Sequence, residues 1–88
     1  QFSLNYLYEI LKDRLENLPE GSFTAKLFKN DELLKRKINE EAFEVIQAGT
    51  KDELAWEVAD LLYFVTADMV KNGIDFNDVL NQLSSRSR

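Results

Sequence analysis

Apolar side chains recur along this chain at steps of three and four. Leu4, Leu7, Tyr8, Leu11, Leu15 and Leu18 mark one face of a helix predicted over residues 3–18. Pro19-Glu20-Gly21 ends it. Ser22 or Thr24 then caps a short helix through Ala25, Leu27 and Phe28. Asp31 is the predicted N-cap of a second long helix, with Leu34, Ile38, Ala42, Val45 and Gly49 along one side and Gly49 closing it. Thr50-Lys51-Asp52-Glu53 reads as a capping box, Thr50 and Glu53 being the reciprocal partners. A third long helix carries Leu54, Val58, Leu62, Val65 and Met69 on one stripe, and Asn72-Gly73 stops it. Asp75 caps a last helix, with Ile74 and Val79 spaced as a hydrophobic staple. Residues 84–88, Ser-Ser-Arg-Ser-Arg, read as a frayed or linker-like tail.

No stretch alternates as a strand does, and there is no repeat. The expectation is an all-α helical bundle of three main helices plus one or two short ones, in one domain over residues 1–83 with a tail at 84–88. A chain of 88 residues buries a limited core by itself. Its helices are apolar over broad faces: Phe43 and Ile46 widen the second, Leu61 and Tyr63 the third. Self-association, most simply as a homodimer, is the way to cover such faces.

Composition narrows the chemistry. There is no cysteine and no histidine, which removes disulfides, thiolate or imidazole metal sites and nucleophile–histidine catalysis. Catalysis would run on carboxylates, lysines, hydroxyls or a hard cation. Sixteen acidic against eleven basic residues give a net charge of -5, the wrong sign for nucleic-acid binding. The same charge opposes an anionic substrate unless a metal or a local basic patch reverses it. The apolar runs are too short to span a membrane. No secretory signal opens the chain, and a cytoplasmic address is the default expectation. The first residue is Gln1 rather than Met, consistent with a processed start or an excerpt of a longer polypeptide.

The acids are unusually placed. Glu40, Glu41 and Glu44 form E-E-x-x-E on the second long helix, and Glu57 and Asp60 form E-x-x-D on the third. At about 100° per residue, with Glu40 at zero, Glu44 falls near 40°, Lys37 near 60° and Glu41 near 100°. All share one flank beside the apolar stripe. Glu57 and Asp60 are about 60° apart and also border their stripe. The short Gly49-Thr50 connection makes the two helices antiparallel neighbours, so the pairs Glu41/Glu44 and Glu57/Asp60 can meet across the seam. Carboxylates gathered in this way repel unless a cation sits among them. Oxygen ligands without His or Cys suit Mg²⁺ or Mn²⁺, which keep positions open for water and substrate phosphates. The alternative is a solvated acidic face with i,i+4 partners. For Asp60, set among Ala59, Leu61 and Leu62, the structural alternative is a salt bridge to Lys37 or Arg36.

Glu40-Glu41-Ala42-Phe43-Glu44, twelve residues, then Glu57-Val58-Ala59-Asp60 resembles the metal motif of the all-α nucleoside-triphosphate pyrophosphatases, the MazG-like superfamily. The surroundings are more specific. Gly21 to Phe28, Leu33 to Ile38, Ala59 to Tyr63, and the stretch from Gly73 to Leu83 with Asp78-Val79 are similar to the phosphoribosyl-ATP pyrophosphatases of histidine biosynthesis. Members often carry Tyr where this chain has Phe23 and His where it has Phe64; neither position is a ligand in the motif.

The resemblance implies Mg²⁺-assisted hydrolysis of phosphoribosyl-ATP to phosphoribosyl-AMP and pyrophosphate. Glu41, Glu44, Glu57 and Asp60 would be the metal ligands. Glu40 would position or deprotonate the water, or hold a second metal. Lys37 would meet a phosphate, or else pair with Glu41. Ser22, Thr24 and Lys26 follow a glycine turn at a helix start, a place for anions, with capping as the alternative for the two hydroxyls. Trp56 would stack on a base, or lie in the core or an interface. The partners implied are a nucleotide substrate, a second copy, and neighbouring histidine-pathway enzymes to which this unit is often fused. Two other functions use the same residues differently: a house-cleaning nucleoside-triphosphate pyrophosphatase, and a non-enzymatic helical oligomerisation module or adaptor.

Overall fold

Every helix of this chain begins at a short polar side chain that accepts from the backbone three residues on. In the computed structural model, which describes residues 1–18 and 20–86, α1 spans Leu4–Asn17, α2 Phe23–Lys29, α3 Asp31–Gln47, α4 Lys51–Lys71 and α5 Phe76–Ser85. Ser3 accepts from the Tyr6 N–H at 3.0 Å, and Ser22 from Ala25 at 3.0 Å. Asn30 accepts from Leu33 at 3.0 Å, Thr50 from Glu53 at 3.1 Å and Asp75 from Asp78 at 2.9 Å. Each cap satisfies a donor the helix cannot, worth about 1 kcal/mol. No strand occurs among the described residues, and the all-α expectation holds. No helix among them is long and apolar enough to cross a membrane.

Several local expectations are corrected. Asn30, not Asp31, caps α3. Its N–H also donates to Lys26 O at 3.0 Å, so one residue closes α2 and opens α3. Asp31 is thereby freed as the first helical residue and pairs with Lys71 at 3.2 Å. α3 ends at Gln47 with Ala48 as its cap, so Gly49 lies beyond the helix. The box at Thr50 is open on one side: the Glu53 carboxylate accepts from the Gly49 N–H at 3.0 Å, one residue further back. At Asp75 the box is complete, with Asp78 accepting from the Asp75 N–H at 2.9 Å. Asn72-Gly73 does stop α4. Gly73 takes φ +69°, and Gly73 and Ile74 donate back to Val70 and Met69 at 3.2 and 2.9 Å. α5 runs on through Ser84 and Ser85, because Arg86 N–H still reaches Gln82 O at 3.2 Å. Pro19, read as the end of the first helix, and the tail residues 87–88 lie outside the described residues.

The core gathers at one end of the α3–α4 pair. Leu11 of α1, Leu27 and Phe28 of α2, Leu34 of α3, and Phe64, Ala67 and Val70 of α4 are buried together. Leu7, Tyr8, Leu15, Leu33, Ile38 and Tyr63 pack around them. α3 packs most extensively on α4, and α1 lies across α4. Two ion pairs fix the direction: Lys35–Asp68 at 3.4 Å and Lys71–Asp31 at 3.2 Å set the start of α3 beside the end of α4. The helices are therefore antiparallel, and the second half of α3 faces the first half of α4.

That far half behaves differently. No residue of α3 after Leu34 and none of α4 before Phe64 is fully buried. The stripe expected to face the core holds only in its second half: Leu54 and Val58 are exposed, Leu62 and Val65 are partly buried and Met69 is buried, while the core cluster takes Phe64, Ala67 and Val70 from α4. The reason is reach. α1 and α2 cover only the near half, so the rest of the hairpin projects beyond them with Phe43, Ile46, Leu54, Trp56 and Val58 open to solvent.

Candidate functional site

The acidic helix pair meets where the core gives way to the projecting arm. The antiparallel register brings Glu41 of α3 opposite Glu57 and Asp60 of α4. One carboxylate oxygen from each lies within 4.8 Å of the other two. All three side chains are partly buried, at the edge of the seam. Among the described residues, Asp60 and Glu57 make no hydrogen bond or ion pair that would account for this position. The salt bridge from Asp60 to Lys37 or Arg36 is not formed. Lys37 turns instead along its own helix, to Glu40 at 3.1 Å and Glu41 at 3.8 Å.

Electrostatics register the crowding. The Glu57 carboxyl is raised above its ordinary range, first by desolvation in the seam and then by the charges of Glu44, Asp60, Glu41 and Glu53. The sign for stability follows. A carboxyl that holds its proton more tightly in the fold than in the open chain makes the fold less stable as pH rises past the unfolded value and through the folded one. Glu57→Gln should therefore raise the melting temperature of the metal-free protein at neutral pH. The gain should vanish at acid pH, where the carboxyl is protonated in both states. Thermal melts of the two proteins between pH 4 and 7 test this; a gain independent of pH would contradict it.

The other residues singled out from the sequence are not all brought together. Glu44 is exposed and outside the group of three, yet its charge acts on Glu57. Glu40 is half-exposed and held by Lys37. Ser22 serves as the N-cap of α2. α2 has only seven residues, too short for an effective anion-binding dipole. Thr24 is a correction: it is buried, with its hydroxyl 2.8 Å from Tyr63 Oη and accepting from Arg14 Nη1 at 3.4 Å. It braces α1, α2 and α4 together and does not face solvent. Lys26 is exposed and has no ion pair among the described residues. Trp56 is 70% exposed on the arm, so it is not core.

One contact beside the carboxylates was not read from the sequence. Lys37 Nζ lies 5.5 Å from the centroid of the Phe64 ring, a cation–π contact. Phe64 is itself held edge-on by Tyr63 at 5.2 Å and by Phe23 at 6.1 Å. The signal was there in part: Phe64 follows Asp60 by four residues and so shares its face of α4.

Fold and site together define a small all-α domain with an oxygen-only cluster on an antiparallel helix pair, a donor set for a hard divalent cation. The profile of a family described as phosphoribosyl-ATP pyrophosphohydrolase matches residues 4–87. The chain belongs to that family. It is 46% identical over 80 residues to the histidine biosynthesis trifunctional protein of Kluyveromyces lactis, covering 91% of this chain and 10% of that protein. It is 45% identical over 82 residues to the histidine biosynthesis bifunctional protein his7 of Schizosaccharomyces pombe, covering 93% and 20%. It is 38% identical over 86 residues to the histidine biosynthesis bifunctional protein HisIE of Thermotoga maritima, covering 93% and 44%. The chain thus spans a tenth to under half the length of these relatives, which by name carry more than one activity. No solved structure matches.

Proposed function

We propose that this chain hydrolyses phosphoribosyl-ATP to phosphoribosyl-AMP and pyrophosphate. Glu41, Glu57 and Asp60 would hold Mg²⁺, or Mn²⁺ in its place, and Glu44 would complete the set. The observation that carries the reading is the group of three carboxylates at the α3–α4 seam, in a chain matched by the family profile over 4–87. The fit is chemical as well as geometric. The donors are all oxygens, the set that a hard divalent cation would take. Such a cation neutralises phosphate oxygens and lowers the pKa of a bound water.

The chain's own residues then have distinct work. Glu41, Glu57 and Asp60 come from two antiparallel helices whose direction is marked by the Lys35–Asp68 and Lys71–Asp31 pairs at the other end of the hairpin. Glu40 lies on the same flank, half-exposed, and accepts a hydrogen bond from the attacking water. Lys37 supplies positive charge to a phosphate oxygen. Lys26, exposed on α2, would add positive charge for a phosphate. A cytoplasmic address belongs to the same reading, since the substrate is an ATP derivative, as does fusion to other enzymes of the pathway.

The active form is a homodimer built on the arm, with its sites close to the subunit seam. Support comes from Phe43, Ile46, Leu54, Trp56 and Val58, which the protomer leaves open to water.

Pyrophosphate release tests the reaction, with phosphoribosyl-ATP beside a panel of ordinary and damaged nucleoside triphosphates, with and without Mg²⁺. The expected result is metal-dependent release from phosphoribosyl-ATP. Turnover confined to the panel would keep the carboxylate site and assign a house-cleaning role. No turnover by the folded protein would leave a helical oligomerisation module as the better reading.

A further inference from the structure

Three carboxylates and one ammonium share the α3–α4 seam, and the ammonium touches Glu41 of the group, Glu40 outside it and an aromatic face from one position. Lys37 Nζ is 3.8 Å from Glu41 Oε1, inside the group of three, and 3.1 Å from Glu40 Oε2, outside it. It is also 5.5 Å from the face of Phe64. The pair with Glu41 is sheltered: the Lys37 side chain is 26% exposed and that of Glu41 14%. The ring cannot turn away. Phe64 is buried, and Tyr63 and Phe23 stand edge-on to it at 88° and 87°. Tyr63 is in turn tied to Thr24 of α2. A chain of contacts from α2 through α4 thus ends on an aromatic face beneath a lysine.

We infer that Lys37 is a resident cation of the carboxylate site, that a divalent ion binds by displacing it from Glu41, and that Glu40 and the face of Phe64, which it already touches, hold it once that contact is lost. The inference rests on the reading that Glu41, Glu57 and Asp60 hold a metal. Two cations cannot share Glu41 at close range, because their repulsion at about 4 Å outweighs the lysine's single ion pair. The divalent ion has three carboxylates to itself, while the ammonium has Glu40 and a quadrupole that attracts it. Phe64 is therefore a positioning residue. It keeps the displaced charge at the lip of the site, where a phosphate arrives, and keeps it from dispersing into solvent. In the metal-free protein the same lysine offsets part of the repulsion that raises the energy of the empty cluster.

The test is a Mn²⁺ titration of the substrate-free protein, read by the electron paramagnetic resonance signal of free Mn²⁺. Lys37→Met should tighten Mn²⁺ binding about tenfold, the loss of a competing charge close to one ligand oxygen. Lys37→Arg should bind as wild type does. Lys35→Met removes an equal charge at the Asp68 pair, away from the cluster, and should change binding less than about twofold. Phe64→Leu should weaken binding about two- to fivefold, the size of an exposed cation–π contact, and Phe64→Tyr should not. In a Lys37→Met background Phe64→Leu should have no effect, since the ring then has no cation to seat. Phe64 is a core residue, so its leucine variant loses stability; the Lys37 arm does not depend on it. Equal effects of Lys35→Met and Lys37→Met would overturn the inference, as would a Phe64→Leu effect that persists without Lys37. Wild type that binds Mn²⁺ while Lys37→Met binds no tighter would overturn this inference alone. Failure of every protein to bind Mn²⁺ would overturn the metal reading of the carboxylates as well.

Discussion

Asp60→Asn is expected to remove metal-dependent pyrophosphate release, by a factor of at least about 10² to 10³, while leaving the helices intact. The fold has no use for this carboxylate. Asp60 makes no hydrogen bond or ion pair among the described residues, and asparagine keeps its shape. What it loses is one of three charges whose oxygens lie within 4.8 Å. A neutral amide oxygen is a weaker ligand for a hard cation. Two readouts separate this from a general loss of structure. Circular dichroism should be unchanged, and the rise in melting temperature that Mg²⁺ gives the wild type, by binding the folded state alone, should disappear. The metal-free variant should melt no lower than wild type, because one of the charges that disfavour ionised Glu57 is gone. Full activity in Asp60→Asn would mean that the metal sits elsewhere. An unfolded Asp60→Asn would mean that the carboxylate has a structural partner, as the salt-bridge alternative required.

The carboxylate geometry was legible because helical phase and loop length are local properties. Spacing put Glu40, Glu41, Glu44 and Lys37 on one flank and Glu57 and Asp60 on another, though of the three glutamates on α3 only Glu41 joins the close group. A three-residue connection, 48–50, made the helices antiparallel. Those rules need no knowledge of the rest of the molecule. Helix starts were legible for the same reason, except where one residue does two jobs; the ends at Gly49 and before Ser84 were misplaced, α3 stopping at Gln47 and α5 running on to Ser85. Asn30 closes α2 and opens α3, which a search for one cap per helix misses. The buried face of α4 was not legible. A stripe through Leu54, Val58 and Met69 is apolar along its whole length, but only α1 and α2 decide how much is covered, and they stop short of the arm. Thr24 shows the same limit. Its spacing suits a cap or an anion ligand; only the long-range meeting with Tyr63, 39 residues away, makes it a buried brace. Phe64 was read as a departure from the family pattern, and its role as the seat of Lys37 needed the cross-helix distance.

The arm yields the other large effect. Ile46→Lys with Leu54→Lys should convert a dimer of about twice 10.2 kDa into a monomer, weakening association by at least about a thousandfold. Ile46 is 76% exposed in the protomer and Leu54 44%, so neither lysine is forced into the core and the protomer should melt cooperatively. A two-fold interface doubles every change, placing four ammonium groups where apolar surface would be buried, each costing several kcal/mol to desolvate unpaired. Activity should fall with the dimer. The carboxylates stand where the arm joins the core, and no residue of the arm is fully buried in the protomer to hold it still. If a partner arm packs against it, the spacing of Glu41, Glu57 and Asp60 depends on that packing. Light scattering at a range of concentrations, read beside pyrophosphate release, tests both links. A variant that stays dimeric would move the interface to another surface, such as the exposed apolar side of α5 at Leu80 and Leu83. A monomeric variant with full activity would show that the protomer alone holds the three carboxylates in place, and that dimerisation serves stability and not the site.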